Sequence, residues 1–303
     1  MTNNNKIKVS IIGAGKVGTT VAYVLAKKNL PDIKISSLSS RSKSSLSRAK
    51  EILGKYLKNI YFTQNNLDAV STSKCCLICT PDDVISKVCK QISESDIDLK
   101  EHIIIHFSGS KSLRILNDAK EAGGSVASIH PLKSFASIKE AVKTISGTVF
   151  GITYSDRKAR RMAVCLVKAL GGSIIEVEDE KKPIYHAAAC VASNYLVSLI
   201  NYAVILHEEI GIKSQDSLRG LISLVEGTVV NIKKMGTKKS LTGPIARGDI
   251  GTIREHLENF NKYFKREDAV LYKLLGAETS KIAYQNGWIG KNKYEDLVKL
   301  LNS

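Results

Sequence analysis

The strongest constraint on the fold lies at the start of the chain. Lys6-Ile-Lys-Val-Ser-Ile-Ile12 is a β-branched apolar run, Gly13-Ala14-Gly15-Lys16-Val17-Gly18 follows it, and apolar residues then recur at helical spacing from Thr19 to Lys27. Strand, Gly-x-Gly-x-x-Gly turn and helix in that order form the opening of a βαβ unit. Gly13 permits the tight turn, Gly15 lets the backbone approach a pyrophosphate, and Gly18 lets helix and strand pack closely. The first amides of the helix point at the phosphates, where the helix dipole favours negative charge. Isolated glycine motifs of this kind occur by chance in many loops. The flanking strand and helix make this one a nicotinamide-dinucleotide site formed by Gly13, Ala14, Gly15, Lys16, Val17 and Gly18.

The second strand bears on which dinucleotide. Ile33–Leu38 runs into Ser39-Ser40-Arg41-Ser42-Lys43, and no acidic residue occurs between Asp32 and Glu51 to hold a ribose diol. Arg41 offers a charge-assisted fork to a 2′-phosphate, with Ser40 and Ser42 as hydroxyl donors. The same residues also suit a basic, solvated loop. The expectation is NADP(H) rather than NAD.

Strand and helix signals alternate as far as about residue 178. Strands are expected near Tyr61-Phe62 and at Cys75–Thr80, His102–His106, Ser125–Ile129, Thr148–Thr153 and Ser173–Val177. Helices are expected at Ser44–Tyr56, Asp83–Ile92, Leu113–Ala122 and Asp156–Leu170. This predicts an α/β, Rossmann-type, doubly wound sheet that is mostly parallel. From residue 180 only helices are read: one from Pro183 to Glu209, one from Ser214 to about Lys234, one capped by Asp249 or Thr252, one over Glu267–Asn286 and a short one over Lys293–Leu301. The expected organisation is therefore a nucleotide-binding domain, 1–179, and an all-helical substrate and dimerisation domain, 180–303.

A net charge of +16 is large, but the lysines are scattered and accompany no nucleic-acid motif. A positive field suits anionic cofactors and carboxylate substrates. Six cysteines form no metal framework, and Cys76-Leu-Ile-Cys79 lies in a buried strand pattern rather than at a helix start. Neither a disulfide pattern nor an apolar leader is read, which points to a reducing cytoplasm. Ala187–Leu206 carries no charged side chain and has the length of a membrane span. Ser193, Asn194, Ser198 and Asn201 are spread over several of its faces. It is therefore read as a central helix covered by its neighbours, including those of a second subunit in a homodimer, and not as a membrane helix.

Three strand ends carry polar turns: Cys79-Thr80-Pro81-Asp82-Asp83, His106-Phe107-Ser108-Gly109-Ser110 and His130-Pro131-Leu132-Lys133-Ser134. Ligands of open α/β sheets lie at such ends. Thr80 and Pro81 are expected to flank the nicotinamide ribose, Ser108 to lie beside the ring and His130 to face the substrate. His186, Cys190 and Asn194 share one helix face by their i, i+4, i+8 spacing. His186 is a candidate proton donor and Asn194 a candidate orienting group, although both could equally satisfy each other or nearby backbone. In Leu241-Thr-Gly-Pro-Ile-Ala-Arg-Gly-Asp249, Arg247 could clamp a carboxylate, with Asp249 capping the next helix and fixing the arginine.

Several of these segments together resemble the Rossmann-like proteins with a C-terminal DUF2520 domain. They are the glycine turn, Ser40-Arg41, Thr80-Pro81-Asp82-Asp83, His106-x-Ser108-Gly109, Ser128-Ile-His130-Pro131 and Phe135, then Tyr185-His186, Ala192-Ser193-Asn194-Tyr195 and the Leu241–Asp249 segment. The resemblance implies an architecture similar to ketopantoate reductases, pyrroline-5-carboxylate reductases and β-hydroxyacid dehydrogenases. It implies an NADPH-dependent reductase of a small anionic carbonyl compound, such as ketopantoate in coenzyme A precursor synthesis. Alternatives are an imine substrate such as pyrroline-5-carboxylate, or a non-catalytic NADP sensor. Those relatives carry a Lys-x-x-x-Asn pair on the first helix of the second domain. Here His186 and Cys190 are aligned with it, so the lysine is expected to be missing and His186 or Lys133 to take its role.

Overall fold

A computed structural model describes residues 6–265 and 268–303. The chain divides into two compact units, one up to Tyr195 and one over Leu196–Ser303. The first contains β1 (Ile7–Ile12), α1 (Lys16–Lys28), β2 (Ile33–Ser39), α2 (Lys43–Leu53), β3 (Tyr61–Thr63), α3 (Asn66–Ser71), β4 (Cys75–Ile78) and α4 (Asp82–Ser93). It continues with β5 (Ile103–His106), α5 (Asn117–Glu121), β6 (Ser125–Pro131), α6 (Ile138–Thr144), β7 (Val149–Tyr154), α7 (Arg157–Leu170), β8 (Ser173–Glu176) and the start of α8 (Lys182–Glu209).

The eight strands form one sheet in the order β3-β2-β1-β4-β5-β6-β7-β8. Every pairing is parallel except β6 with β7. The chain order reverses between β1 and β4, so their carboxyl ends leave the crevice where ligands bind in such sheets. One face packs Val9, Ile11, Leu38 and Leu77 against Val21 and Leu25 of α1 and Leu166 of α7. The other packs Ile12, Ile78 and Ile104 against Ile85, Cys89 and Ile92 of α4. β4 is buried along its whole length because both faces are covered, which explains its unbroken apolar run. Cys76 lies inside it, and burial pushes its thiol up to about 12, so Cys76-Leu-Ile-Cys79 is core rather than redox chemistry.

The doubly wound, mostly parallel sheet matches the sequence expectation. Two short helices, α3 and α6, were not expected; each is a turn or two long, too short for a periodic apolar signal. Asn65 caps α3 through Leu67 N–H, and Ser137 caps α6 through Glu140 N–H. The sequence places the domain change at 179/180, where strands stop. The chain itself divides at Tyr195, because the first turns of α8 stay with the sheet.

The second unit is helical. α9 (Ser214–Lys239) breaks at Gly236 (φ +79°), and α10 (Pro244–Arg247), α11 (Ile250–Tyr263), α12 (Asp268–Gln285) and α13 (Lys291–Asn302) follow. Ile253, Leu257, Ala283, Leu297 and Leu301 form its core. Glu267, expected to open the helix that becomes α12, lies outside the described residues.

The expectation that the apolar helix is covered fails within the single chain. Ile184 is 77% exposed, Val191 58% and Val197 68%. Among the described residues the Asp179–Glu209 segment alone is long and apolar enough to cross a membrane, by length and composition.

Candidate active site

The glycine turn forms as the motif requires. Gly13 N–H donates to Ser39 O (2.9 Å) and Cys79 N–H to Ile12 O (2.7 Å), tying the ends of β1, β2 and β4 together. Gly13 has φ +109°, and a Cβ there would sit 2.7 Å from Cys79 O. A Cβ on Gly18 would overlap the Gly13 carbonyl oxygen, whereas one on Gly15 would meet nothing. α1 begins after Gly15 with no side-chain cap and no acidic residue in its first turn, which leaves the Lys16 and Val17 end of the helix free to receive a phosphate.

A cleft of about 410 Å³ opens there, lined by Gly13, Ala14, Gly15, Ser40, Arg41, Ser42, Thr80 and Pro81 among others. The cofactor-binding residues read from the sequence thus converge on one cleft wall, and Lys16, Val17 and Gly18 follow in α1. Thr80 Oγ1 is buried without a partner among the described residues, an orphan that a ligand hydroxyl would satisfy. Ser42 Oγ accepts Ser45 N–H as the cap of α2 and pairs with Ser44 Oγ at 2.8 Å, so its hydroxyl is already engaged. Arg41 is exposed at the rim, its carbonyl held by Gln64 Nε2 (2.8 Å). The uncapped helix start, the open space over Gly15 and the arginine beyond β2 fit NADP(H).

Beside this cleft lies a polar cluster centred on a residue the sequence reading missed. Lys182, 1% exposed, opens α8 and turns its side chain into the first unit. Its Nζ donates to Ser128 Oγ (2.7 Å) and to Ser108 O (3.3 Å). Burial lowers its pKa to about 8, opposed by the negative charges of Asp179 and Asp82. Asp82, directly after the Thr80-Pro81 cleft wall, accepts from Ser108 Oγ (2.7 Å) and Ser110 Oγ (3.1 Å). The stretch expected to lack a lysine thus has one a turn earlier: Lys182-Pro-Ile-Tyr-His186 has Lys-x-x-x-His spacing, four residues before the alignment on His186 and Cys190. Asp179-Glu180-Lys181-Lys182 reads as a solvated charge run. The signal that could have found Lys182 is its i, i+4 spacing to His186, with Pro183 fixing the first helical turn.

Two imidazoles stand next to the lysine. His130 lies 5.6 Å from His186 between ring centroids, and its Nδ1 is 3.2 Å from Tyr185 OH. Burial, helped by His186 and Lys182, lowers His130 to about 4, so it is neutral at physiological pH. His186 Nδ1 faces Cys190 Sγ at 3.7 Å. Gly109 fits against both rings: a Cβ there would approach His186 Cδ2 to 2.5 Å and His130 Nε2 to 2.7 Å.

Of the remaining candidates, Asn194 and Lys133 in the first unit make no hydrogen bond to Lys182, Ser108 or Ser128 among the described residues, and Arg247 and Asp249 belong to the second unit. Asn194 is exposed, two turns beyond His186. Lys133 N–H closes a turn on Pro131 O (2.8 Å), and the lysine nitrogen of the cluster comes from Lys182 instead. In the second unit Asp249 caps α11, accepting Thr252 N–H (3.2 Å) on Oδ1 and Thr252 Oγ1 (2.8 Å) on Oδ2. These bonds hold its carboxyl below the usual range. Both carboxylate oxygens thus serve the cap, and Arg247, expected to be fixed by Asp249, is exposed.

Glycine turn, uncapped helix and strand-end cluster define a Rossmann-type dinucleotide-binding protein with a buried lysine beside the nucleotide cleft. Residues 2–131 match the Rossmann-like domain family, and residues 148–279 match the domain of unknown function DUF2520. The chain is a Rossmann-like protein with a C-terminal DUF2520 domain. No curated protein matches the sequence. Among solved structures, protein TM1727 from Thermotoga maritima is similar, with 25% identity and a TM-score of 0.69 over 91% of this chain and 98% of that one. Plasmodium falciparum pyrroline carboxylate reductase with NADP bound has 15% identity and a TM-score of 0.57, over 97% of this chain and all of that one. An imine reductase from Pseudomonas sp. has 16% identity and a TM-score of 0.59, over 93% and 99%. The chain thus has the fold of NAD(P)-dependent oxidoreductases.

Proposed function

We propose that this protein is an NADPH-dependent reductase of a small anionic carbonyl compound, with ketopantoate as the specific substrate. The observation that carries the reading is the Lys182 ammonium, held on Ser108 and Ser128, with Ser108 in turn bonded to Asp82, the residue directly after the Thr80-Pro81 wall of the nucleotide cleft. NADPH, when bound, supplies the hydride. The chain's own residues do the rest. Lys182 holds a proton at Nζ for the oxygen that becomes a hydroxyl, and its lowered pKa makes it a better acid at neutral pH than an ordinary lysine. His130 and His186 pack against Gly109 in the same cluster, and neutral His130 adds no charge to repel the ammonium. Asp82 orients Ser108 and, with Asp179, offsets the buried charge. For the substrate carboxylate the sequence pattern offers Arg247 or Lys133.

The fold is shared with an imine reductase and a pyrroline carboxylate reductase, so a C=N substrate is the second reading. Consumption of NADPH by the purified protein separates the two. Turnover with ketopantoate yielding pantoate supports the first reading. Turnover with pyrroline-5-carboxylate alone replaces it with the second.

Three further expectations follow. Arg41→Ala weakens NADPH binding by about 1.5–3 kcal/mol, roughly tenfold to a hundredfold, and leaves NADH nearly unchanged; titration calorimetry with each nucleotide checks this, and equal losses would remove the 2′-phosphate assignment. The rate of carbonyl reduction, as kcat/KM, falls above pH about 8, because the acid must be protonated and Lys182 loses its proton there. A profile flat to pH about 10 would mean another acid.

The exposed apolar side chains of α8 suit a second copy of the chain in the cytoplasm, and serines and asparagines among them argue against lipid. Sedimentation at micromolar concentration is expected to show a dimer; a monomer would contradict this.

A further inference from the structure

His106 ends β5, is fully buried, and has no part in the scheme above. Its Nδ1 accepts Ser108 N–H at 3.1 Å, so the ring proton sits on Nε2, which has no partner among the described residues. Ser108 is a hub. Its amide goes to His106, its carbonyl oxygen receives Lys182 Nζ (3.3 Å), its hydroxyl donates to Asp82 (2.7 Å) and accepts Lys111 N–H (3.1 Å). The second Lys182 acceptor, Ser128, is the strand partner of His106 in the parallel β5–β6 register. Both acceptors of the ammonium are thus placed by groups adjoining one imidazole.

We propose that His106 is a positioning residue that aims the Ser108 carbonyl at the Lys182 ammonium by accepting the Ser108 amide two residues on. The arrangement imitates an Asx turn, in which an Asn or Asp oxygen accepts the amide at i+2. It works only while the ring is neutral, since a proton on Nδ1 would face the Ser108 N–H donor and add a second positive charge beside the ammonium. Burial and the Lys182 charge hold the imidazole down at about 3, so this condition is met at any working pH. The groups facing Lys182 are Asp82 at the start of α4, Asp179 before α8, His106 on β5 and His130 on β6, with His186 behind His130.

The inference rests on the reading of Lys182 as proton donor, but its test does not need turnover. The full chain is labelled with ¹³C at lysine Cε, and the Lys182 signal is assigned by its loss in Lys182→Met. In wild type it should titrate with a midpoint of about 8. In His106→Leu the ammonium loses an aimed acceptor, so the midpoint falls by about half a pH unit or more. In His106→Asn, whose Oδ1 can accept the same amide, it stays at the wild-type value. In turnover, kcat of His106→Leu falls on the order of tenfold to a hundredfold, with the alkaline limb moving alongside and Asn restoring both. An unmoved or raised midpoint in His106→Leu, or an equal shift in His106→Asn, overturns the proposal. If His106→Leu does not fold, His106→Ala deletes the acceptor with less bulk and is read in the same way. A kcat loss without a midpoint shift also overturns it while leaving the reductase reading intact. The predicted shifts in a protein that never consumes NADPH would keep His106 in its role and remove the reductase reading.

Discussion

Lys182→Met is expected to lower kcat by about 10²–10⁴-fold, the range lost with a positioned general acid, and to leave NADPH affinity unchanged. Stability should not explain the loss. Keeping the ammonium buried holds its pKa near 8 against an ordinary 10.5, on the order of 3 kcal/mol against the folded state. Between those values the unfolded chain binds more protons than the folded one, so stability rises with pH across that window, and the full cost is present below about 8. Methionine removes this cost at pH 7 and leaves the Ser108 and Ser128 oxygens without their donor, a penalty of about 1–3 kcal/mol. The two nearly cancel, so the melting temperature should change little. Activity lost with melting and NADPH binding retained places Lys182 in the chemistry; activity close to wild type would remove it from the scheme.

The second large effect separates two glycines of one turn. Gly15→Ala should fold normally, because its φ of −79° suits alanine and its Cβ meets nothing. The methyl group fills the space over which a pyrophosphate must approach, so NADPH affinity should fall on the order of a hundredfold. Gly18→Ala should damage the fold itself. Its Cβ overlaps the Gly13 carbonyl oxygen, a backbone atom that cannot rotate away, and the cost is at least the roughly 1–3 kcal/mol of an overpacked core. Calorimetric melting and nucleotide titration on both variants check the contrast. A Gly15→Ala protein that binds NADPH like wild type would show that the pyrophosphate does not pass over this turn.

The nucleotide half of the site was legible because its information is local. Six consecutive residues carry the turn, and the strand and helix on either side supply the context. The sheet was legible for a similar reason: β4 and β5 are short apolar runs between helical patterns. The antiparallel step between β6 and β7 has no local mark, since it depends on which edge the chain returns to. The lysine was missed because its environment is not local. Ser108 and Ser128 lie 74 and 54 positions from it in sequence, and only the fold brings them to Nζ. Among neighbouring charges, Lys182 looks like surface until Pro183 is seen to start a helix whose first turn packs on the sheet. The exposure of α8 shows the opposite limit: an apolar pattern says that a surface must be covered, not which chain covers it.

Hydride transfer from NADPH can be followed directly with an isotope. NADPH bearing deuterium at the transferable position of the reduced nicotinamide is incubated with the protein and ketopantoate, and the product is examined by mass spectrometry. Wild type should place one deuterium on the former carbonyl carbon for each NADPH consumed, and Lys182→Met none on the same timescale. Tight NADPH binding with no deuterium transfer to ketopantoate, to other oxo acids or to cyclic imines would make the protein a nucleotide sensor and not a reductase.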